Sequence, residues 1–134
     1  MEYAMGYQEY YTAITKPFFA PPEWVFGLAW GIIYPLIALA AVYILYLVYK
    51  KRADWKLFLI LVLNMIGNIV FTPLQLLLPG ELWASLDILF VLATVALLQW
   101  YAWRVSKLLF ILLLPYLLWG TFATVLQITI FFLN

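Results

Sequence analysis

Lys16-Pro17-Phe18-Phe19-Ala20-Pro21-Pro22-Glu23-Trp24-Val25-Phe26, running into Gly27-Leu28-Ala29-Trp30-Gly31-Ile32-Ile33-Tyr34, decides the fold. Its three closely spaced prolines cannot continue a helix and favour an extended or turning backbone, so the first half reads as a stiff loop. Lys16 and Glu23 bracket that loop, and Trp24 is an aromatic suited to a membrane–water interface. From Trp24 to Tyr49 no residue is charged. Such a run makes roughly 39 Å of helix, enough to cross a bilayer with some tilt.

The same alternation of apolar run and polar stop continues along the chain. Lys50-Lys51-Arg52 and Asp54-Trp55-Lys56 end the first span, Pro79-Gly80-Glu81 the second, and Arg104 and Lys107 the third. Spans are therefore predicted at residues 24–49, 57–78, 82–103 and 108–133, an all-α, polytopic membrane bundle of four helices over residues 24–134. Residues 1–23 form an N-terminal segment and the proline-rich loop. The stretch before that loop, with Glu2, Gln8, Glu9 and the tyrosines Tyr3, Tyr7, Tyr10 and Tyr11, is too short and polar to cross, and it has no features of a cleavable signal.

Composition excludes several classes of function. The chain is 69% hydrophobic and only 10% charged, with a mean hydropathy of +1.06, where a soluble domain carries about 25% charged residues. A net charge of +1, with the basic residues scattered in loops, gives no surface for nucleic acid. Cysteine and histidine are both absent from the sequence, which removes thiolate nucleophiles and the usual zinc and haem ligands, so no resident metal or cofactor is expected. No nucleophile–base pair or phosphate-binding loop is present either, and no internal repeat suggests a transporter. Lys50, Lys51, Arg52 and Lys56 occupy the first connection and Arg104 and Lys107 the third, whereas the second has no basic residue. The positive-inside rule then places both termini and the proline loop on the non-cytoplasmic side.

Polar residues within the spans mark the inside of the bundle. Asn64, Asn68, Phe71 and Gln75 fall on one helical stripe, and three amides on one face are costly against lipid. Amides of this kind also serve simply as hydrogen-bonded links between helices. Asp87, with Thr94 and Tyr101 at seven-residue steps on its face, is a carboxyl group within a span and hence a candidate functional residue, or a partner for donors near its helix end. Pro115, Trp119, Ala123 and Gln127 make a stripe on the last span with Phe122 beside it, and Phe26, Trp30 and Tyr34 make one on the first. Trp24, Trp55, Trp83 and Trp103 lie near span ends as interface anchors, while Trp30 and Trp119 lie deep. Their indoles are expected to face each other across one cavity.

The order Lys16-Pro17, Pro21-Pro22, Trp24-Val25-Phe26, Trp30 and Tyr34, then Asn64, Phe71 and Asp87, then Pro115-Tyr116, Trp119, Phe122-Ala123 and Leu133-Asn134, resembles the translocator protein (TspO, tryptophan-rich sensory or peripheral benzodiazepine receptor) family. The resemblance implies a membrane pocket for porphyrins and other planar hydrophobic molecules, with sterols and benzodiazepine-type drugs as ligands of some members. By that likeness Trp30, Tyr34, Asn64, Trp119 and Ala123 line the pocket and Phe19, Pro21 and Pro22 form its lid. The stripes add Phe26, Asn68, Phe71, Asp87, Phe122 and Gln127 as candidate ligand contacts. Aromatic faces for stacking and a few orienting polar groups suit a flat macrocycle. Light-dependent porphyrin breakdown, attributed to some members, would assign the photochemistry to Trp30 and Trp119.

Several positions depart from the family pattern. Tyr10-Tyr11 stands for its Trp-Tyr pair, Phe19 and Gly67 for tryptophans, Thr72 for a phenylalanine and Gln127 for an asparagine, and the residues proposed for sterol recognition are missing. The family has five spans, so this chain is expected to be one helix short, its first. A homo-oligomer such as a dimer, or a partner protein with a spare helix, is then expected to cover the pocket polar groups that would otherwise meet lipid. The alternative function is that of a structural or accessory membrane subunit retaining the scaffold without an active pocket.

Overall fold

A computed structural model describes residues 7–78 and 80–134. Residues 1–6 of the expected N-terminal segment, and Pro79 of the second stop, lie outside the described residues. The chain forms α1 (Tyr7–Ala13), α2 (Trp24–Tyr49), α3 (Trp55–Leu77), α4 (Leu82–Val105) and α5 (Lys107–Leu133). The last four are each long and apolar enough to cross a membrane, and large apolar side chains such as Leu39, Val42, Ile69, Ile111 and Leu118 face outward where lipid would lie. The protein is an integral, multi-pass membrane protein, a bundle of four spanning helices with α1 lying beside it.

The ends of the helices follow from local chemistry. Lys51 adopts a left-handed φ of 58°, and Arg52 N donates back to Leu47 O at 2.8 Å, which closes α2 by covering its last carbonyls. The chain enters α3 ahead of the apolar run that starts at Leu57, because Asp54 caps the helix by accepting from Lys56 N at 3.0 Å. Gly80, with φ of 74°, turns the chain between α3 and α4. Ser106 alone connects α4 to α5: it is extended, and its Oγ accepts from Leu109 N to cap α5. Pro35, Pro73 and Pro115 lie inside helices, each removing one backbone donor without ending the helix.

Each spanning helix packs on its neighbours in sequence, and α5 returns to α2, so the four close a ring; α2 and α3 touch least. The apolar core is concentrated toward the end that carries the basic loops, where Ile44, Leu47, Leu57, Leu98, Ala102 and Leu109 are all almost fully buried. At that end Tyr43 and Ser106 hydrogen-bond at 3.0 Å. At the opposite end the Asn134 side chain both accepts from Thr15 N at 3.1 Å and donates to Thr15 O at 2.9 Å, tying the segment before the proline loop to α5. That half of the bundle is hollow.

Candidate functional site

The hollow is a cavity of about 350 Å³ between the four helices, opening toward the proline loop. Helical spacing explains its wall. Phe26 and Trp30 come one turn apart from α2, and Asn68, Phe71, Thr72 and Gln75 come from consecutive turns of α3. Tyr116, Trp119, Ala123 and Gln127 come from α5, with Ile88 and Val91 of α4 behind. Tyr11 and Glu23 stand at the mouth. Gly27 on α2 and Thr72 on α3 both line the cavity and are exposed, so its open flank is the gap between those two helices.

Aromatic rings dominate one side. Phe26 meets Trp119 edge to face with centroids 5.8 Å apart, and Tyr11 meets Phe26 in the same way at 5.3 Å. The Trp30 indole is stacked on Tyr34 at 4.9 Å and lies edge-on to Tyr116 at 6.2 Å. Trp30 and Trp119 thus line one space, each braced by another ring that limits its rotation. The Tyr11 hydroxyl donates to Pro21 O at 2.7 Å, and burial raises this phenol above its ordinary pKa, so it stays a neutral donor holding the loop.

At the cavity floor lies a polar knot, with Asn68 and Tyr116 on the wall and Asn64 beneath it. Asn64 is fully buried; its Nδ2 donates to Val91 O at 3.0 Å and to Thr94 Oγ1 at 2.8 Å, and its Oδ1 accepts from the Tyr116 hydroxyl at 2.7 Å. Asn68 Nδ2 donates to the same hydroxyl at 2.5 Å. This knot joins α3, α4 and α5 at the cavity floor. Gly67 lets α4 close on α3 here, since a Cβ at that position would fall 2.9 Å from Phe90 Cδ2 and 3.0 Å from Val91 Cγ2.

Of the residues singled out in the sequence, Phe26, Trp30, Asn68, Phe71, Trp119, Ala123 and Gln127 share the cavity wall. Asn64 is beneath it, and Tyr34 stands behind Trp30 with 43% of its surface exposed. Asp87 is half-buried on α4, apart from the wall, with its Oδ2 lacking a hydrogen-bond partner among the described residues. Phe122 faces a shallow outer groove with Ile33, Pro115 and the far side of Trp119, and Phe19 approaches it with centroids 6.4 Å apart. Pro21 touches the site through its carbonyl, and Pro22 is exposed.

Other wall residues carry no signal of their own in the sequence. Tyr116 is visible there only as part of a motif, and Gly120, Leu126 and Ile130 are indistinguishable from lipid-facing positions until α5 is placed. Glu81 marks a loop in the sequence, yet the structure buries it to 8% exposure, with its Oε1 accepting from the Tyr10 hydroxyl at 2.5 Å and from Gln127 Nε2 at 3.1 Å.

Comparison with known proteins gives consistent matches along the chain. A family model described as TspO/MBR family matches residues 2–133. A tryptophan-rich protein TspO of Bacillus cereus is 39% identical over 127 residues, covering 93% of this chain and 80% of that protein. A protein of the same name from Archaeoglobus fulgidus is 36% identical over 137 residues, covering 98% and 84% respectively. The human translocator protein is 30% identical over 125 residues, covering 88% of this chain and 70% of its own length.

Proposed function

The chain belongs to the TspO/MBR family, and from that premise we propose that it binds a porphyrin or similar planar hydrophobic molecule in the cavity between α2, α3 and α5. The observation that carries the reading is that Trp30 and Trp119, with Phe26 and Phe71, line one apolar space of about 350 Å³, within the range of small-molecule sites. Aromatic faces on two sides suit a flat ring system, and the few polar side chains suit orientation of its edge. Sensing of the bound molecule is one use of such a site. Photo-oxidative breakdown is another, and would draw on the ligand's own photochemistry beside the two indoles.

The test is a titration of intrinsic tryptophan fluorescence with protoporphyrin in lipid nanodiscs, repeated in Trp30→Phe and Trp119→Phe. Saturable quenching that weakens in both variants supports the reading. A parent protein that shows none is instead a structural or accessory subunit retaining the scaffold.

Two further features belong to this proposal. The basic residues of the α2–α3 and α4–α5 connections gather at the end opposite the cavity, which supports a cavity opening to the non-cytoplasmic side, with the C-terminus there too. A cytoplasmic signal from a reporter fused after Asn134 would reverse that orientation. The open flank between α2 and α3 supports a cover by a helix of a second copy, as in a dimer, or of a partner protein. A mass measurement in nanodiscs that finds only monomer rules out the second copy.

A further inference from the structure

Hydrogen bonding at the cavity floor fixes the direction of one amide on the wall. Asn64 Nδ2 is held by a backbone carbonyl, Val91 O at 3.0 Å, so Asn64 Oδ1 is the atom that faces the Tyr116 hydroxyl at 2.7 Å. That hydroxyl gives its single proton to Asn64, and toward Asn68 it can only accept. Asn68 therefore presents Nδ2 to it at 2.5 Å, and the same nitrogen makes a weaker contact with Met65 Sδ at 3.9 Å. Among the described residues this side chain bonds through its nitrogen alone, and Oδ1 is left over. Turning the amide over would set that oxygen against a hydroxyl whose proton is already given away. Asn68 is half-buried and lines the cavity, and its oxygen is not one of the sealed unpaired atoms, which are Gln75 Oε1, Asp87 Oδ2 and Gln99 Oε1. A ligand in the cavity can reach it.

One turn further along α3 stands a second uncommitted group. Thr94, Thr121, Thr124 and Thr129 each donate to the carbonyl four residues back, the usual resting place of a helical hydroxyl. Thr72 does not: its hydroxyl has no partner among the described residues, and Thr72 lines the cavity at its open flank. Other polar groups of the wall are spent or differently placed. Gln127 gives its amide nitrogen to Glu81 Oε1 at 3.1 Å and accepts from Gln75 Nε2 at 3.1 Å, and the Tyr11 hydroxyl is directed to Pro21 O at 2.7 Å. The indoles of Trp30 and Trp119 are donors only, and Glu23 stands at the mouth. Side chains four residues apart on a helix are neighbours, with Cβ atoms about 5–6 Å apart. α3 thus offers an acceptor and a hydroxyl side by side, with the rings of α2 and α5 on the other walls.

We propose that Asn68 Oδ1 and the Thr72 hydroxyl form a subsite for a ring lactam on an otherwise apolar, flat ligand: the Asn68 oxygen takes the lactam N–H, and the adjacent lactam carbonyl accepts from Thr72. A lactam carries its donor and its acceptor on one edge, which matches two groups one turn apart on one helix. The subsite rests on the reading that the cavity binds a planar hydrophobic molecule, and specifies the chemistry of that molecule's polar edge.

The experiment uses two flat tricyclic probes, phenanthridinone, a ring lactam, and N-methylphenanthridinone, which keeps the carbonyl and lacks the N–H, with protoporphyrin as a control for the cavity. Each is titrated by tryptophan quenching in phosphatidylcholine nanodiscs against the parent, Asn68→Leu, Thr72→Val and Trp119→Phe. N-methylation is expected to weaken binding to the parent about fivefold, the scale of one neutral hydrogen bond. Asn68→Leu should bring the two probes to within about twofold of each other, whereas a preference caused by the bulk of the methyl group would survive beside the bulkier leucine. Thr72→Val, nearly the same shape without the hydroxyl, should weaken both probes about equally, by about threefold, and decides the matter alone should Asn68→Leu fail to fold. Equal affinity of the two probes in the parent, a preference that survives Asn68→Leu, or no weakening in Thr72→Val overturns the subsite. Quenching by protoporphyrin that saturates, and weakens in Trp119→Phe, leaves the cavity reading standing in each of those cases, and also where neither tricyclic probe binds, which overturns the subsite alone. No saturable quenching by any of the three overturns both.

Discussion

Replacing Asn64 by leucine tests the knot that joins three helices at the cavity floor. Leucine keeps the branched shape of asparagine with bulkier methyl groups, so the change removes hydrogen bonds without opening a void, and any crowding adds to the loss. Three bonds are lost, two donated to Val91 O and Thr94 Oγ1 and one accepted from Tyr116. At about 0.6 kcal/mol for an average interhelical bond in a membrane they come to roughly 2 kcal/mol. Val91 O and Thr94 keep other partners, but the Tyr116 hydroxyl, on a side chain only 1% exposed, loses its acceptor, which adds about 1 kcal/mol or more. A destabilisation of about 2–4 kcal/mol is expected, measured by reversible unfolding in mixed micelles. Tyr116→Phe removes the other side of the same bond, so the double variant should be less destabilised than the sum of the singles, by about 1 kcal/mol. Since Asn64 is sealed beneath the wall, the folded fraction should bind porphyrin nearly as the parent does. A loss under about 0.5 kcal/mol, or strict additivity in the cycle, would refute the claim that this knot holds α5 to α3.

Two other outcomes follow from the packing. Gly67→Ala puts a methyl group 2.9 Å from the Phe90 ring and 3.0 Å from Val91; Phe90, half-exposed, can swing toward lipid, whereas buried Val91 cannot, so thermal denaturation should show a loss of about 1–3 kcal/mol despite alanine's better helix propensity. Ser106→Ala removes the cap of α5 and the partner of Tyr43 at 3.0 Å, and should cost about 1 kcal/mol in the same assay; an unchanged midpoint would show that the one-residue connection needs no cap.

The spans were legible in the sequence because charge and proline punctuate long apolar runs, and a bilayer leaves helices as the only economical answer for such runs. The interior was legible in part for a related reason: amides and indoles at helical spacing have to turn away from lipid, so Trp30, Asn68, Gln75, Trp119 and Gln127 could be read as one side of their helices. Depth was not legible. Asn64 and Asn68 share a stripe one turn apart, and only the closeness of α4 at Gly67 makes the first a buried link and leaves the second on the wall. Glu81 shows the limit most clearly, because its partners Tyr10 and Gln127 come from distant parts of the sequence, and nothing local marks a loop carboxyl group as buried.

The uneven filling of the bundle sets how it can move. Its basic end is packed solid with aliphatic side chains and tied by the one-residue connection at Ser106, while the far half encloses empty volume and is held by side-chain clasps such as Asn134 on Thr15. Thermal motion in such a body resembles that of tweezers, with a rigid pivot near the basic loops and arms that part at their tips. Release of a guest would then require only those tips to separate, and hydrostatic pressure, which acts on internal voids, would be felt at the tips long before the pivot yields.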